Sequence, residues 1–178
     1  LDAGYETRLA KRQPDNLEAY NLYLKGRALW NTRTKENMTA AIADFELALA
    51  KDPGFALAHV GIADCHSMLA AYGYSPPIIA YPKAKKELQT ALKLNSGISE
   101  AHSSLGWVYY NYDWDWENGK RAFEEALRIN PSNPEANRWY SQLLMVNYDP
   151  LTLEQINNAI TLTPASPINR FAHVRLLT

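Results

Sequence analysis

The sequence predicts an all-α fold, a solenoid of antiparallel helix pairs, and three observations predict it. A thirteen-residue pattern recurs four times, as AIADFELALAKDP (41–53), AKKELQTALKLNS (84–96), GKRAFEEALRINP (119–131) and TLEQINNAITLTP (152–164). The copies end 43, 35 and 33 residues apart, and self-similarity at a period in the thirties marks a repeat architecture. Each copy holds its apolar residues at helical spacing, and a new helical segment opens after each copy stops.

Each copy reads as the second helix of a pair. Phe45, Leu88, Phe123 and Ile156 occupy one equivalent place, followed three residues later by Ala48, Ala91, Ala126 and Ala159, and then by Leu49, Leu92, Leu127 and Ile160. Apolar residues three and four apart share one helix face. The alanines let a neighbouring helix approach, so a large side chain there is expected to overpack at a cost of about 1–3 kcal/mol. Pro53, Pro131 and Pro164 stop their helices, and Ser96 with Gly97 takes that place in the second copy.

The first helices open at LEAYNLYLKGRALW (17–30), ALAHVGIADCHSML (56–69), SEAHSSLGWVYYNY (99–112) and PEANRWYSQLLMVN (134–147). The third residue of each is Ala19, Ala58, Ala101 or Ala136, and a small residue follows in three of them: Ala63, Gly106 and Ser141. Glycine within a helix costs roughly 0.5–1 kcal/mol relative to alanine, so Gly106 implies a helix packed against its backbone. The first copy departs most. Leu24 stands where the small residue belongs, and Gly26 comes two residues late. A further opening, PINRFAHVRLLT (167–178), has no partner helix in this chain.

A helix with a small residue midway, then a helix carrying alanine, aromatic and alanine at fixed steps, then proline, resembles the tetratricopeptide repeat. The resemblance covers residues 17–164, with half a repeat beyond, and implies a right-handed superhelix. It divides the chain into a lead-in or linker over 1–15 and a repeat domain over 16–178. The repeats fall at about 17–53, 56–96, 99–131 and 134–164, with a partial fifth at 167–178. NLYLKGRALWNTRT (21–34), YDWDW (112–116), NPEANRWYSQLL (133–144) and the proline-containing insertion AAYGYSPPIIAYP (70–82) are similar to the C-terminal repeat region of multidomain bacterial signalling proteins and transcriptional regulators. Such proteins join these repeats to a DNA-binding, nucleotide cyclase or protein kinase domain.

In this family the first helices line a concave groove that binds protein or peptide segments. The resemblance places Asp64, Met68, Ser103, Trp107, Tyr110, Arg138, Gln142, Met145, Phe171 and Arg175 there, joined by Asn21 and Lys25 if the first repeat keeps its register. Aromatic residues and arginine dominate interface hot spots, although Trp107 also suits simple burial under the next repeat. The family's clamp for the C-terminal carboxylate of a chaperone is not expected. Its places carry Asn21, Lys25, Gly61, Glu100 and Ser104, only two of them acceptable, and Glu100 would repel a carboxylate.

Composition excludes several other classes. The chain has 178 residues, 47% hydrophobic and 21% charged, which is ordinary globular composition. Eighteen basic against nineteen acidic residues give a net charge of -1, unlike a nucleic-acid binder. The single cysteine, Cys65, excludes an internal disulfide and a multi-cysteine zinc site. No apolar run approaches the roughly 20 residues of a membrane helix, and no membrane partner is expected. LDAGYETRLAKR lacks the apolar centre of a signal peptide. A cytoplasmic location is expected, with the periplasm compatible. Since the chain lacks an initial Met and stops just after a helix opens, it reads as a fragment of a longer protein.

Neither a metal site nor a catalytic site is expected. His59 and His66 lie on one helix beside Cys65, and His102 stands at the place equivalent to His59. Equivalent places in neighbouring repeats lie about 8–10 Å apart, too far to share one ion. His59 and His102 are expected instead to replace a large aromatic, and Cys65 to be a buried small residue. Asp113 and Asp115 resemble paired acids but lack a reacting partner. Trp114 and Trp116 are expected to pack between repeats while an aspartate caps the following helix. The insertion at 70–82, with Tyr72, Tyr74, Pro76, Pro77 and Tyr81, either extends the first helix by a turn over an exposed edge or forms a second recognition edge. Lys83, Lys85 and Lys86 read as a solvated face. The expected function is a non-catalytic scaffold without a cofactor. Self-association through the last helix, with Phe171 and Val174 uncovered, and small-molecule sensing are the alternatives.

Overall fold

The computed structural model describes residues 16–146 and 151–162, and among them every regular element is helical. The helices are α1 (Leu17–Asn31), α2 (Lys35–Lys51), α3 (Ala56–Ala71), α4 (Pro77–Leu94), α5 (Ser99–Val108), α6 (Trp116–Ile129), α7 (Pro134–Val146) and α8 (Thr152–Leu162). They fall into two compact units, α1–α4 and α5–α8. In each unit consecutive helices pair, and the first helices touch one another: α1 meets α3, and α5 meets α7. The expected lead-in over 1–15 and the partial repeat over 167–178 lie outside the described residues.

The repeated apolar places form the core of both units. Phe45, Leu88, Phe123 and Ile156 are buried, as are Ala48, Ala91, Ala126 and Ala159. Leu49, Leu92, Leu127 and Ile160 flank them and are half-buried. In the first unit α3 is buried almost all round, because it packs against α1, α2 and α4 together. Helix starts are fixed locally. The Asn16 side chain accepts from the backbone N–H of Glu18 and Ala19, Thr34 accepts from Asn37, and Asp115 accepts from Asn118. Each cap satisfies a donor that the helix itself leaves free.

The first repeat takes the register set by Gly26. A Cβ on Gly26 would lie 2.6 Å from the Phe45 ring, and one on Gly106 would lie 2.8 Å from the Phe123 ring. The two glycines therefore occupy equivalent places, while Leu24 is exposed. In this register Tyr23 and Arg27, rather than Asn21 and Lys25, fall at the places equivalent to Ser103 and Trp107. The reason is steric: only a residue without a side chain fits under the phenylalanine ring.

Two turns differ from expectation. The 70–82 insertion lengthens α3 only to Ala71 and forms the start of α4 from Pro77. Between them Gly73 turns the chain at φ 73°, and the backbone N–H groups of Tyr74 and Ser75 both donate to the Leu69 carbonyl. In the second unit α5 widens into a π-helical turn, Tyr109–Asp113, closed by Trp114 in the left-handed region at φ 56°. Trp114 is 74% exposed and Trp116 is also exposed, so the expectation that both pack between repeats does not hold. The left-handed backbone swings the Trp114 ring outward. Asp115 does cap α6.

Candidate functional site

The first-helix residues of the second unit converge on one aromatic cluster. Trp107 on α5 and Trp139 on α7 have ring centroids 5.1 Å apart, and Tyr110 lies 6.3 Å from Trp107. Such aromatic pairs contribute about 0.5–1.5 kcal/mol beyond their area burial. Trp139 is buried, whereas Trp107 and Tyr110 keep part of their surface in solvent. The Arg138 guanidinium lies 5.2 Å from the Trp139 ring centroid and pairs with Glu135 one turn earlier. Arg138 thus lies buried between a carboxylate and an indole face. Gln142 and Met145 follow on α7 at steps of four and three and remain half-exposed. The Nε1 atoms of Trp107 and Trp139 are buried and meet no hydrogen-bond acceptor, a cost of about 1–3 kcal/mol for each unsatisfied group.

Ser103 is buried, and its hydroxyl donates to the Glu100 carbonyl, so it helps to shape the helix surface. Phe171 and Arg175 lie outside the described residues. The sequence pattern did not single out Trp139, the ring that joins Trp107 to Arg138. It sits beside a predicted groove position, where a core residue is the default reading.

In the first unit, Asp64 is buried and accepts from the Arg27 guanidinium at 2.8 Å. Arg27 and Arg33 cover the Trp30 ring, at 4.1 and 3.4 Å from its centroid. Arg33 reaches that position from a left-handed backbone at φ 59°. Met68 is buried one turn beyond Asp64. Lys25 bonds Asp44 on α2 at 2.8 Å. The signal that finds Arg27 is Gly26: once glycine marks the small-residue place, Arg27 falls at the position equivalent to Asp64, Trp107 and Gln142.

His59, His66 and Cys65 are held within the packing of the first unit. His59 bonds Glu87 across α3 and α4 at 2.6 Å, and this bond holds the Glu87 carboxyl below the usual carboxylate range. Burial, reinforced by Lys83, pushes the His66 imidazole below its ordinary value. Burial, reinforced by Asp64, pushes the Cys65 thiol well up, away from the thiolate that nucleophilic chemistry requires. Among the described residues no group of three or more His, Cys, Asp or Glu side chains could hold a metal ion. No helix among them is long and apolar enough to cross a membrane.

Comparison with solved structures gives the fold. A thermophilic tetratricopeptide-repeat protein of Thermus thermophilus matches with a TM-score of 0.73 and 18% identity, over 97% of this chain and 87% of that one. The chain has the tetratricopeptide-repeat fold. MamA from Desulfovibrio magneticus matches with a TM-score of 0.52 and 19% identity, over 90% of this chain and 81% of that one. A tetratricopeptide-repeat protein of Parabacteroides merdae matches with a TM-score of 0.50 and 14% identity, over 89% and 58%. No protein-family model matches the sequence, and no curated protein matches it. With the tetratricopeptide-repeat fold in hand, α1, α3, α5 and α7 are the first helices of successive repeats, and the aromatic cluster lies where α5 and α7 meet.

Proposed function

We propose that this chain is a non-catalytic interaction scaffold that binds a peptide or protein segment along its first helices, at the half-exposed surface of α5 and α7. The observation that carries the proposal is the cluster of Trp107, Tyr110, Trp139 and Arg138. Tryptophan, tyrosine and arginine are the side chains on which interface energy concentrates. Here they are held by packing before any partner arrives, so little side-chain freedom is lost on binding. Gln142 and Met145 extend the surface with an amide and an adaptable thioether. The words shared with bacterial multidomain regulators support a regulatory role beside a DNA-binding, cyclase or kinase domain.

The test begins with a segment captured by this chain, identified and synthesised, and then titrated against wild type and variants. Trp107→Ala is expected to weaken binding about tenfold or more, with helicity retained. Arg138→Gln is expected to weaken it as well, and glutamine avoids setting a second acid against Glu135. Unchanged affinity in a folded Trp107→Ala protein would move the binding surface away from α5.

A further inference from the structure

The turn between α3 and α4 carries an apolar and basic surface that the packing of the first unit does not use. Ile78 is 75% exposed and Ile79 51%, and Tyr72 and Tyr74 are nearly half exposed beside them in sequence. Exposed apolar residues scattered singly need no explanation, but a cluster of this kind marks an interaction site. The backbone beneath is ordered. Two N–H groups share the Leu69 carbonyl, Gly73 takes the left-handed turn, and Pro76 and Pro77 begin α4. The exposed side chains are therefore presented from a stiff tip.

Along the chain, the charges that follow this tip have one sign. Not one Asp or Glu occurs between Asp64 and Glu87, while Lys83, Lys85 and Lys86 do. Ile79, Pro82, Lys83 and Lys86 are all exposed. Their steps of three and four place them on one helix face, with the isoleucine at the tip and the lysines one to two turns behind it. Lys83 lies close enough to His66 to oppose its protonation, so the positive potential reaches the neighbouring helix. Glu87, the first acid after the run, is engaged by His59.

We propose that this turn docks on the surface of an anionic lipid bilayer, with Tyr72, Tyr74, Ile78 and Ile79 entering the headgroup region and Lys83 and Lys86 lying against the lipid phosphates. Tyrosine is enriched at membrane interfaces because its ring is apolar and its hydroxyl polar. Lysine can lay its methylene stem along apolar surface while its ammonium stays at the phosphates. Docking of this kind needs no spanning segment; it combines buried apolar area with attraction to anionic lipid. The lysines set behind a projecting apolar tip match the layering of a bilayer surface, anionic groups outside and hydrocarbon beneath.

The test is co-sedimentation of the full chain with vesicles of phosphatidylcholine alone and of phosphatidylcholine with phosphatidylglycerol. Binding is expected to the anionic vesicles and to weaken as salt is raised. Neutralising each lysine, as in Lys83→Gln and Lys86→Gln, is expected to lower partitioning about fivefold. Ile78→Asp with Ile79→Asp is expected to abolish it with the circular dichroism spectrum unchanged, because both side chains are exposed. Tyr72→Ser with Tyr74→Ser provides a second apolar loss should the first variant fold poorly. Failure to sediment with anionic vesicles at low salt would overturn the proposal, as would equal sedimentation by all variants. Binding to polyglutamate without binding to vesicles would also overturn it and would assign an acidic polypeptide to the surface.

Discussion

Phe45 shows how far a single side chain dictates the residues around it. Its ring lies under Gly26 on α1 and under Gly61 on α3, and a Cβ at either glycine would come within 2.6 Å of the ring. Gly61→Ala adds about 0.5–1 kcal/mol of helix preference and loses about 1–3 kcal/mol to overpacking. The variant is therefore expected to be less stable in urea unfolding, and Phe45→Leu to relieve it. Gly54→Ala, whose added Cβ would meet nothing nearer than 3.4 Å, is the control and is expected to be near neutral. The sequence contains both contacts but does not announce them. Gly61 reads as an isolated glycine, and Gly26 is displaced from the pattern by two residues. What was legible was the phenylalanine; which glycines it needs depends on how α1 is phased against α2.

At the scale of elements, Asn133 acts as a hub. Its Oδ1 accepts from the backbone N–H of Ala136 and so starts α7; its Nδ2 donates to the Ser99 hydroxyl at the start of α5; that hydroxyl donates to the Ala126 carbonyl near the end of α6. Three helix ends are joined by one buried chain of hydrogen bonds. Asn133→Ala removes a cap and leaves buried Ser99 with one partner fewer, a loss expected to be about 1–3 kcal/mol by thermal or urea unfolding. Asn16→Ala, at an exposed cap, is expected to cost about 1 kcal/mol. Element positions were largely readable, since the alanine and proline marks place the second helices. The extensions of α2 back to Lys35 and of α4 back to Pro77 were not, because they precede the repeated pattern and carry none of its marks. Nor was the direction of Trp114, which depends on the hand of one residue's backbone.

On the scale of the whole molecule, two half-buried groups of the first unit, Glu87 and His66, tie stability to pH. The Glu87 carboxyl is lowered chiefly by its hydrogen bond from His59, and the His66 imidazole is lowered chiefly by burial. Both groups bind protons more readily when the chain is unfolded, so stability falls as pH falls. The His66 contribution is present above the ordinary imidazole value of about 6.5 and is lost as pH drops through its lower folded value. The Glu87 contribution is lost further down, as pH drops through its lowered carboxylate value. Melting temperature followed from pH 7.5 to 4 is expected to fall in two stages. His66→Gln should flatten the upper stage and Glu87→Gln the lower. A Glu87→Gln profile that overlays wild type would show that the His59 bond adds nothing to stability. The candidate binding surface was legible as a set of positions, but the Trp139 ring and the Glu135 carboxylate that fix Arg138 emerge only when α5 and α7 are brought side by side.

The shared ring of Phe45 also bears on how chains of this kind can be recombined. The text of the sequence starts over after Pro53, and a crossover there looks harmless. Yet Phe45 comes before that point and Gly61 after it. A donor segment spliced in at the break must arrive with a glycine eight residues after Pro53, or the ring it inherits has nowhere to lie. The boundary that divides the repeats on paper is thus one across which heredity must carry two distant letters together.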